Sequence, residues 1–186
     1  MKRADLEHLI RAAGDLLGED TVIIVGSQAI LASFPEASLP GDATRSLEAD
    51  VLPLDDPDGS KADLIDGVLG ELSRFDETFG IHGDGVSPGT AVLPDGWQDR
   101  LIVYANTNTN GISALCLERH DLCASKLVAF REKDRRFVRA LIAAGLVDPV
   151  LLVDRPTRTG VPSGLEEPIS GFLRAVSGPM VQRDEI

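Results

Sequence analysis

Apolar positions recur at two periods along this chain, and the alternation between them outlines the fold. Residues 4–17, ADLEHLIRAAGDLL, place Leu6, Leu9, Ile10, Ala13, Leu16 and Leu17 at helical spacing, and Gly18 marks the stop. Residues 21–25, TVIIV, read as a buried strand, and SQAILASF (27–34) as a short helix ended by Pro35. Two prolines and a glycine make 35–45 loop-like. A second strand is predicted over 47–52. It is followed by the turn DDPDGSKAD and a helix from about 61 to 74, with Ser60 as candidate N-cap.

Between 78 and 117 the pattern turns to strands punctuated by Gly and Asn: FGIHGDGV, DRLIVYA and ISALCLE. Helical spacing returns over 119–131 and 134–144, two segments that could be joined. Prolines and turn residues fill 148–163, a last helix is predicted over 165–176, and the last ten residues are expected to be loose. The order of elements predicts an α+β (mixed α/β) domain: a small mixed sheet flanked by helices, with a helical C-terminal part. The expected division is an α/β core over 1–117 and a helical region over 118–186 packed on it, forming one compact domain overall.

Composition narrows the class. Hydrophobic residues make up 43% of the 186 positions, enough for a core. No apolar run approaches the roughly 20 residues of a membrane span. MKRADLEHL lacks the apolar stretch of a secretory signal, so a cytoplasmic protein with no membrane association is expected. Cys116 and Cys123 have no Cys or His partner at metal spacing and are expected to be free and buried. The net charge of −12 argues against general affinity for nucleic acid. The charge is uneven, however. Seven cations and three acids lie between Arg119 and Arg139, whereas residues 42–66 carry eight acids and two cations. Two such segments could face each other across a cleft, or could be separate solvated surfaces.

Three short patterns carry candidate chemistry. In TRSLEADVLPL, Leu47, Ala49 and Val51 share one face of a strand. Glu48 and Asp50 share the other, about 7 Å apart by the strand repeat. Two anions that close repel unless a cation or water lies between them, and a hard divalent ion would use the pair. Taken alone, E-x-D is a short and common pattern that two solvated acids account for better than a metal site does. In TVIIVGSQAI a strand turns through Gly26 and Ser27 into a helix. The N–H groups of a first helical turn suit phosphate, and a glycine lets it approach closely. A strand-ending Gly and a capping Ser would give the same letters. In DLCASKLVAFREKD, Lys126 stands among Leu122, Ala129 and Phe130 on an apolar helix face, where it either snorkels to water or points its ammonium at phosphate. Lys133 falls near the same face, with Asp134 displaced by roughly a quarter turn.

These three patterns, in this order, resemble the nucleotidyltransferase superfamily, with its Gly-Ser turn followed by an acidic-x-Asp pair. KLVAFREKDRRFVRALIAAGLVD is similar to the C-terminal motif of the small bacterial AbiEii-like nucleotidyltransferases of toxin–antitoxin systems. The resemblance spans roughly residues 5–150. It implies nucleotide binding by Gly26, Ser27, Arg45, Lys126 and Arg131. It implies Mg2+ or Mn2+ on Glu48 and Asp50, and a catalytic set of Asp50, Glu48, Lys126 and Asp134, the last as a base or as a partner of Lys126. It further implies transfer of a nucleoside monophosphate from a nucleoside triphosphate to a hydroxyl, on a tRNA 3′ end or on a protein, and a cognate antitoxin. Glu48 stands where the family has Asp, Ser or Thr, and a third carboxylate is supplied only by the weak candidates Asp84 and Glu118. The alternative is a catalytically degenerate member serving as a binding or regulatory, antitoxin-like module. Of the histidines, His8 is expected at the surface and His120 near a helix start. His82, two residues from Asp84 on a strand, could share a metal with it.

Overall fold

The computed structural model describes residues 1–155 and 160–177. Helix α1 (Arg3–Leu17) ends as predicted, with Gly18 in the left-handed conformation. Strand β1 (Thr21–Ile24) leads into a 3-10 turn at Ser27–Ala29 and one α-turn, α2 (Ile30–Ser33). Strand β2 (Glu48–Leu52) follows.

The helix predicted over 61–74 is two. The first, α3 (Ser60–Leu69), stops at Gly70, and α4 (Arg74–Phe79) starts anew with the Ser73 hydroxyl accepting from the Asp76 N–H. Ser60 is not the cap of α3. Gly59 holds that position, and Asp56 and Asp58 accept from the N–H groups of residues 60–62. Strands β3 (His82–Gly85), β4 (Ile102–Tyr104) and β5 (Ser113–Cys116) are shorter than the apolar runs suggested; at β3 the reason is that FG of FGIHGDGV closes α4.

Helices α5 (Arg119–Ala129) and α6 (Glu132–Ala143) are separate: Phe130 adopts a left-handed conformation, φ 51°, and breaks the ladder. The turn-rich stretch after 147 contains an unpredicted helix, α7 (Pro149–Asp154), started by Asp148 accepting from Val150 N–H with Pro149 in the first turn. The last helix is α8 (Glu166–Ser177). The stretch expected to be loose lies, beyond Ser177, outside the described residues.

The five strands form one sheet in the order β3-β2-β1-β5-β4. β2 runs antiparallel to β1 and parallel to β3, β1 is parallel to β5, and β4 closes the far edge antiparallel to β5. This is the mixed α+β architecture that the hydrophobic pattern implied. One face of β2, Ala49 and Val51, is fully buried with Leu6, Leu9 and Ile10 of α1 and Ile65 of α3. Gly85 of β3 is required by that packing: a Cβ there would stand 2.0 Å from the Ala62 carbonyl oxygen of α3. The same buried cluster takes in Leu122 and Leu127 of α5, Phe137 and Leu141 of α6, and Ile169, Phe172 and Leu173 of α8. Both cysteines are buried and free, as expected. Among the described residues no helix is long and apolar enough to cross a membrane.

The start of α5 is held by a polar network. The Glu118 carboxylate accepts from the N–H groups of His120 (2.8 Å) and Asp121 (3.2 Å) and meets His120 Nδ1 at 2.7 Å. His120 Nε2 accepts from Asp148 N–H, so the ring proton sits on Nδ1 and is donated to Glu118. Glu118 is therefore a cap, not a third catalytic carboxylate. Burial works to raise its pKa. The hydrogen bonds from His120 and the two backbone N–H groups outweigh burial and bring it to about 2.

A depressed carboxylate stabilises the fold above its unfolded pKa, ordinarily 4.5, and that contribution is lost as pH falls toward about 2. Urea unfolding across this range should show Glu118→Gln less stable than wild type at pH 6, with the difference shrinking steadily from about pH 4.5 toward 2. A gap that does not change with pH would mean the capping geometry, not the charge, carries the effect.

Candidate functional site

The second face of β2 opens on a cleft of about 550 Å³, inside the size range of small-ligand sites. Its walls come from the β1–α2 turn, from β2, and from α5 and α6. Gly26, Ser27, Arg45, Glu48, Asp50, Lys126, Arg131 and Asp134 all line it. The residues that the resemblance implied for nucleotide, metal and catalysis thus line one cleft, whereas the further candidates His82, Asp84 and Glu118 are not among its lining residues. The acidic and basic segments meet here: Asp42, Glu48 and Asp50 stand on one side, and Lys126, Arg131, Lys133 and Arg136 on the other.

A close approach joins the two N-terminal patterns. Gly26 has an ordinary extended backbone, φ −78° and ψ −172°, that any residue could adopt. What it provides is room: a Cβ there would stand 1.7 Å from Asp50 Oδ2 and 2.6 Å from Asp50 Cγ. The Asp50 carboxylate lies directly on the Gly26 backbone, and Val25 N–H donates to the Asp50 carbonyl at 3.1 Å. The expectation of a helix N-terminus at this turn needs correction. Three residues of 3-10 helix and four of α-helix, stopped before Pro35, give too short a stack of peptide dipoles for a strong field. A phosphate placed here would meet the Gly26–Ser27 backbone, the serine hydroxyl and the facing cations, with little help from a helix dipole. The Ser27 hydroxyl accepts from Gln28 Nε2 at 3.2 Å.

On the opposite wall, Asp134 is almost wholly buried, at 1% exposure, and Lys126 is 16% exposed. Lys126 Nζ lies 3.5 Å from Asp134 Oδ1 and 5.2 Å from the Phe137 ring centroid. Arg131 closes over the other oxygen, with Nε 2.6 Å from Asp134 Oδ2, while its N–H donates to the same atom at 3.3 Å. With both oxygens engaged, Asp134 is arranged as the partner that orients Lys126, not as a base. Arg45 stands at the mouth, mostly exposed and 3.4 Å from Asp42.

Burial pushes the Asp50 pKa up, and the Glu48 charge adds to the rise. Lys126, Lys133 and Arg131 pull it back without cancelling it. The carboxylate is therefore under-compensated, which suits it to a further cation.

The β2–β3 register extends the acidic face. Glu48 is paired with His82, and Asp50 with Asp84. Ligand atoms of Glu48, His82 and Asp84 lie within 4.8 Å of one another, a group able to hold a metal ion that does not include Asp50. Burial, with Glu48 and Asp50 nearby, raises the Asp84 pKa against the opposing effect of His82. The sequence showed His82 and Asp84 as a pair, but their neighbour Glu48 becomes visible only through strand pairing. Arg136 was not singled out at all, since its i, i+3 relation to Lys133 places it on the cleft side only once α6 is oriented. His8, expected at the surface, is half-buried against Phe75 and Phe79 of α4, with ring centroids at 5.3 and 4.4 Å.

No curated protein and no solved structure matches the chain. A Gly-Ser turn pressed against an E-x-D strand, faced by a lysine helix, is the arrangement that the resemblance implied. Over residues 4–158 the chain matches, and therefore belongs to, the family described as "Nucleotidyltransferase of unknown function (DUF6036)".

Proposed function

We propose that this protein transfers a nucleoside monophosphate from a nucleoside triphosphate to a hydroxyl acceptor. The observation that carries the reading is the convergence of Gly26–Ser27, Asp50 and Lys126 on one cleft of ligand size. The triphosphate lies along the Gly26–Ser27 turn, and Lys126, held by Asp134, offsets its charge, with Arg131, Lys133 and Arg45 nearer the mouth. The acceptor oxygen attacks the α-phosphorus in line. A new P–O bond forms, the bond to the β-phosphate oxygen breaks, and pyrophosphate leaves. Such a reaction asks the protein mainly for positioning and charge neutralisation. Glu48 and Asp50 supply the hard oxygen donors suited to Mg2+ or Mn2+, and the under-compensated charge of Asp50 fits that use. The bound metal would supply charge stabilisation at the attacking and leaving oxygens.

The acceptor suggested by the AbiEii-like motif is a tRNA 3′ end, with a protein hydroxyl as the other class. On this reading the protein is the toxin of a pair with a cognate antitoxin, acting in the cytoplasm. The basic wall of the cleft supports an anionic acceptor. The test is transfer of label from each α-32P nucleoside triphosphate into total RNA and into protein, with Mg2+ or Mn2+, beside Asp50→Ala. Label in one fraction that disappears in the variant is the expected result, and the fraction names the acceptor class. Nucleotide binding without label in any condition would replace the enzyme with a degenerate binding module.

A further inference from the structure

We infer that Glu48, His82 and Asp84 form a cation position of their own, built for a first-row transition ion such as Mn2+ in preference to Mg2+. It deepens the metal reading above, but it concerns binding and can be tested without turnover.

Three features carry it. The first is geometry. Two ligands at about 2.1 Å from one ion stand roughly 3 to 4.2 Å apart, and the three donor atoms already lie within 4.8 Å of one another. Small side-chain rotations would complete the closure, while the strands fix the Cα positions: Glu48 and His82 are register partners, and Asp84 follows two residues on, on the same face.

The second is chemistry. Two carboxylates alone would suit Mg2+ or Ca2+, whereas an imidazole nitrogen in the set favours the borderline ions, in the usual order of first-row affinities. The third lies outside the triad. Asp76, in α4, places Oδ1 3.4 Å from His82 Nδ1. A carboxylate behind a histidine keeps the proton on the nearer nitrogen, leaves the other unprotonated, and fixes the ring plane, as is usual for metal-bound histidines. Ser73, which starts α4 by capping Asp76 N–H, holds Asp76 in place. Asp50 is absent from this group and faces Gly26 and the cations of α5 and α6. Asp84 is also the register partner of Asp50, so along this face Asp50 and Asp84 form one pair and Glu48 and His82 the next, with only Asp50 turned to Gly26.

The experiment is equilibrium titration of the full chain with Mn2+, followed by electron paramagnetic resonance of the free ion, with Mg2+ as competitor. Wild type, His82→Asn and Asp76→Asn are compared. Asn at 82 retains an N–H to meet Asp76 and removes the second ring nitrogen, so folding is preserved and is checked by thermal melting. The expected result is one Mn2+ site favoured over Mg2+ by about tenfold or more. His82→Asn should weaken Mn2+ by about tenfold or more and change Mg2+ competition by less than about twofold, and Asp76→Asn should fall between. Equal affinity for the two ions in wild type, an unchanged His82→Asn, or no wild-type binding up to millimolar Mn2+ would each overturn the inference. Label transfer supported by Mg2+ would then leave the nucleotidyltransferase reading standing. A histidine-dependent Mn2+ site in a chain that transfers no label would do the opposite, sustaining the cation position and removing the transferase.

Discussion

Asp50→Ala is expected to lose nucleotidyl transfer on the order of a thousandfold and to melt no lower than the wild type. The two halves of this outcome have one cause. Burial and Glu48 disfavour the Asp50 charge in the folded chain, so its folded pKa stands above the usual 3.8. A carboxylate with a raised folded pKa costs stability at neutral pH and recovers it as pH falls through the raised value toward the unfolded one. Removing the group removes that cost, and under the proposed function it also removes the charge assigned to the metal. Stability held back at a functional position is the usual form of such a trade-off.

Gly26→Ala sharpens the test. The new methyl and the Asp50 carboxylate cannot both keep their places, since 1.7 Å is about half a normal contact. Overpacking of this kind costs about 1–3 kcal/mol, and a displacement of about 1 Å at a reacting group can cost about a hundredfold in rate. The double variant Gly26→Ala/Asp50→Ala removes the clashing atoms. Its melting temperature should return toward wild type while transfer stays absent. If the double variant is as unstable as Gly26→Ala alone, the carboxylate is not what the methyl meets.

The largest effect on stability should come from Asp121→Ala. Asp121 is fully buried, and Arg100 grips it in bidentate fashion, Nε at 2.7 Å and Nη2 at 3.1 Å, while Arg155 reaches the same carboxylate from the end of α7. Removing a buried partner leaves the cations uncompensated, a cost of about 3–5 kcal/mol when they cannot reach water. Here the arginine side chains are 32% and 24% exposed, and Arg100 also donates to the Asp95 carbonyl, so the lower end applies. A loss of about 3 kcal/mol corresponds to roughly 6 to 12 °C in a chain of this size. Calorimetry of the two proteins measures it directly, and a shift under about 2 °C would place the network among ordinary surface pairs. Because this network anchors the start of the helix that carries Lys126, transfer should fall as well.

The three patterns were readable because each is local. A strand-Gly-Ser turn, alternation around Glu48 and Asp50, and Lys126 on an apolar helix face need only neighbouring residues to be seen. The β2–β3 pairing is of another kind. About 30 residues and two helices separate parallel partners, and nothing in HGDG announces that Glu48 is its neighbour. Glu118 misled for a related reason: an acid before a helical run is a cap or a catalyst according to where its oxygens turn, and spacing does not record that. The helix after Asp148 did carry a signal, Asp-Pro at a helix start, but the surrounding prolines and glycines outweighed it.

The family match ends at residue 158, yet the hydrophobic core does not. Ile169, Phe172 and Leu173 of α8 are buried with the rest, and Arg135 and Arg139 of α6 lie over the rings of Phe130 and Phe172. Burying three such side chains is worth several kcal/mol, a large share of the 5–15 kcal/mol that holds a typical domain. Evolutionary boundary and mechanical boundary therefore fall in different places. A fragment trimmed to the shared segment would present a raw apolar seam beside the basic wall of the cleft. Its reluctance to stay in solution would then reflect where it was cut and would say nothing about its chemistry.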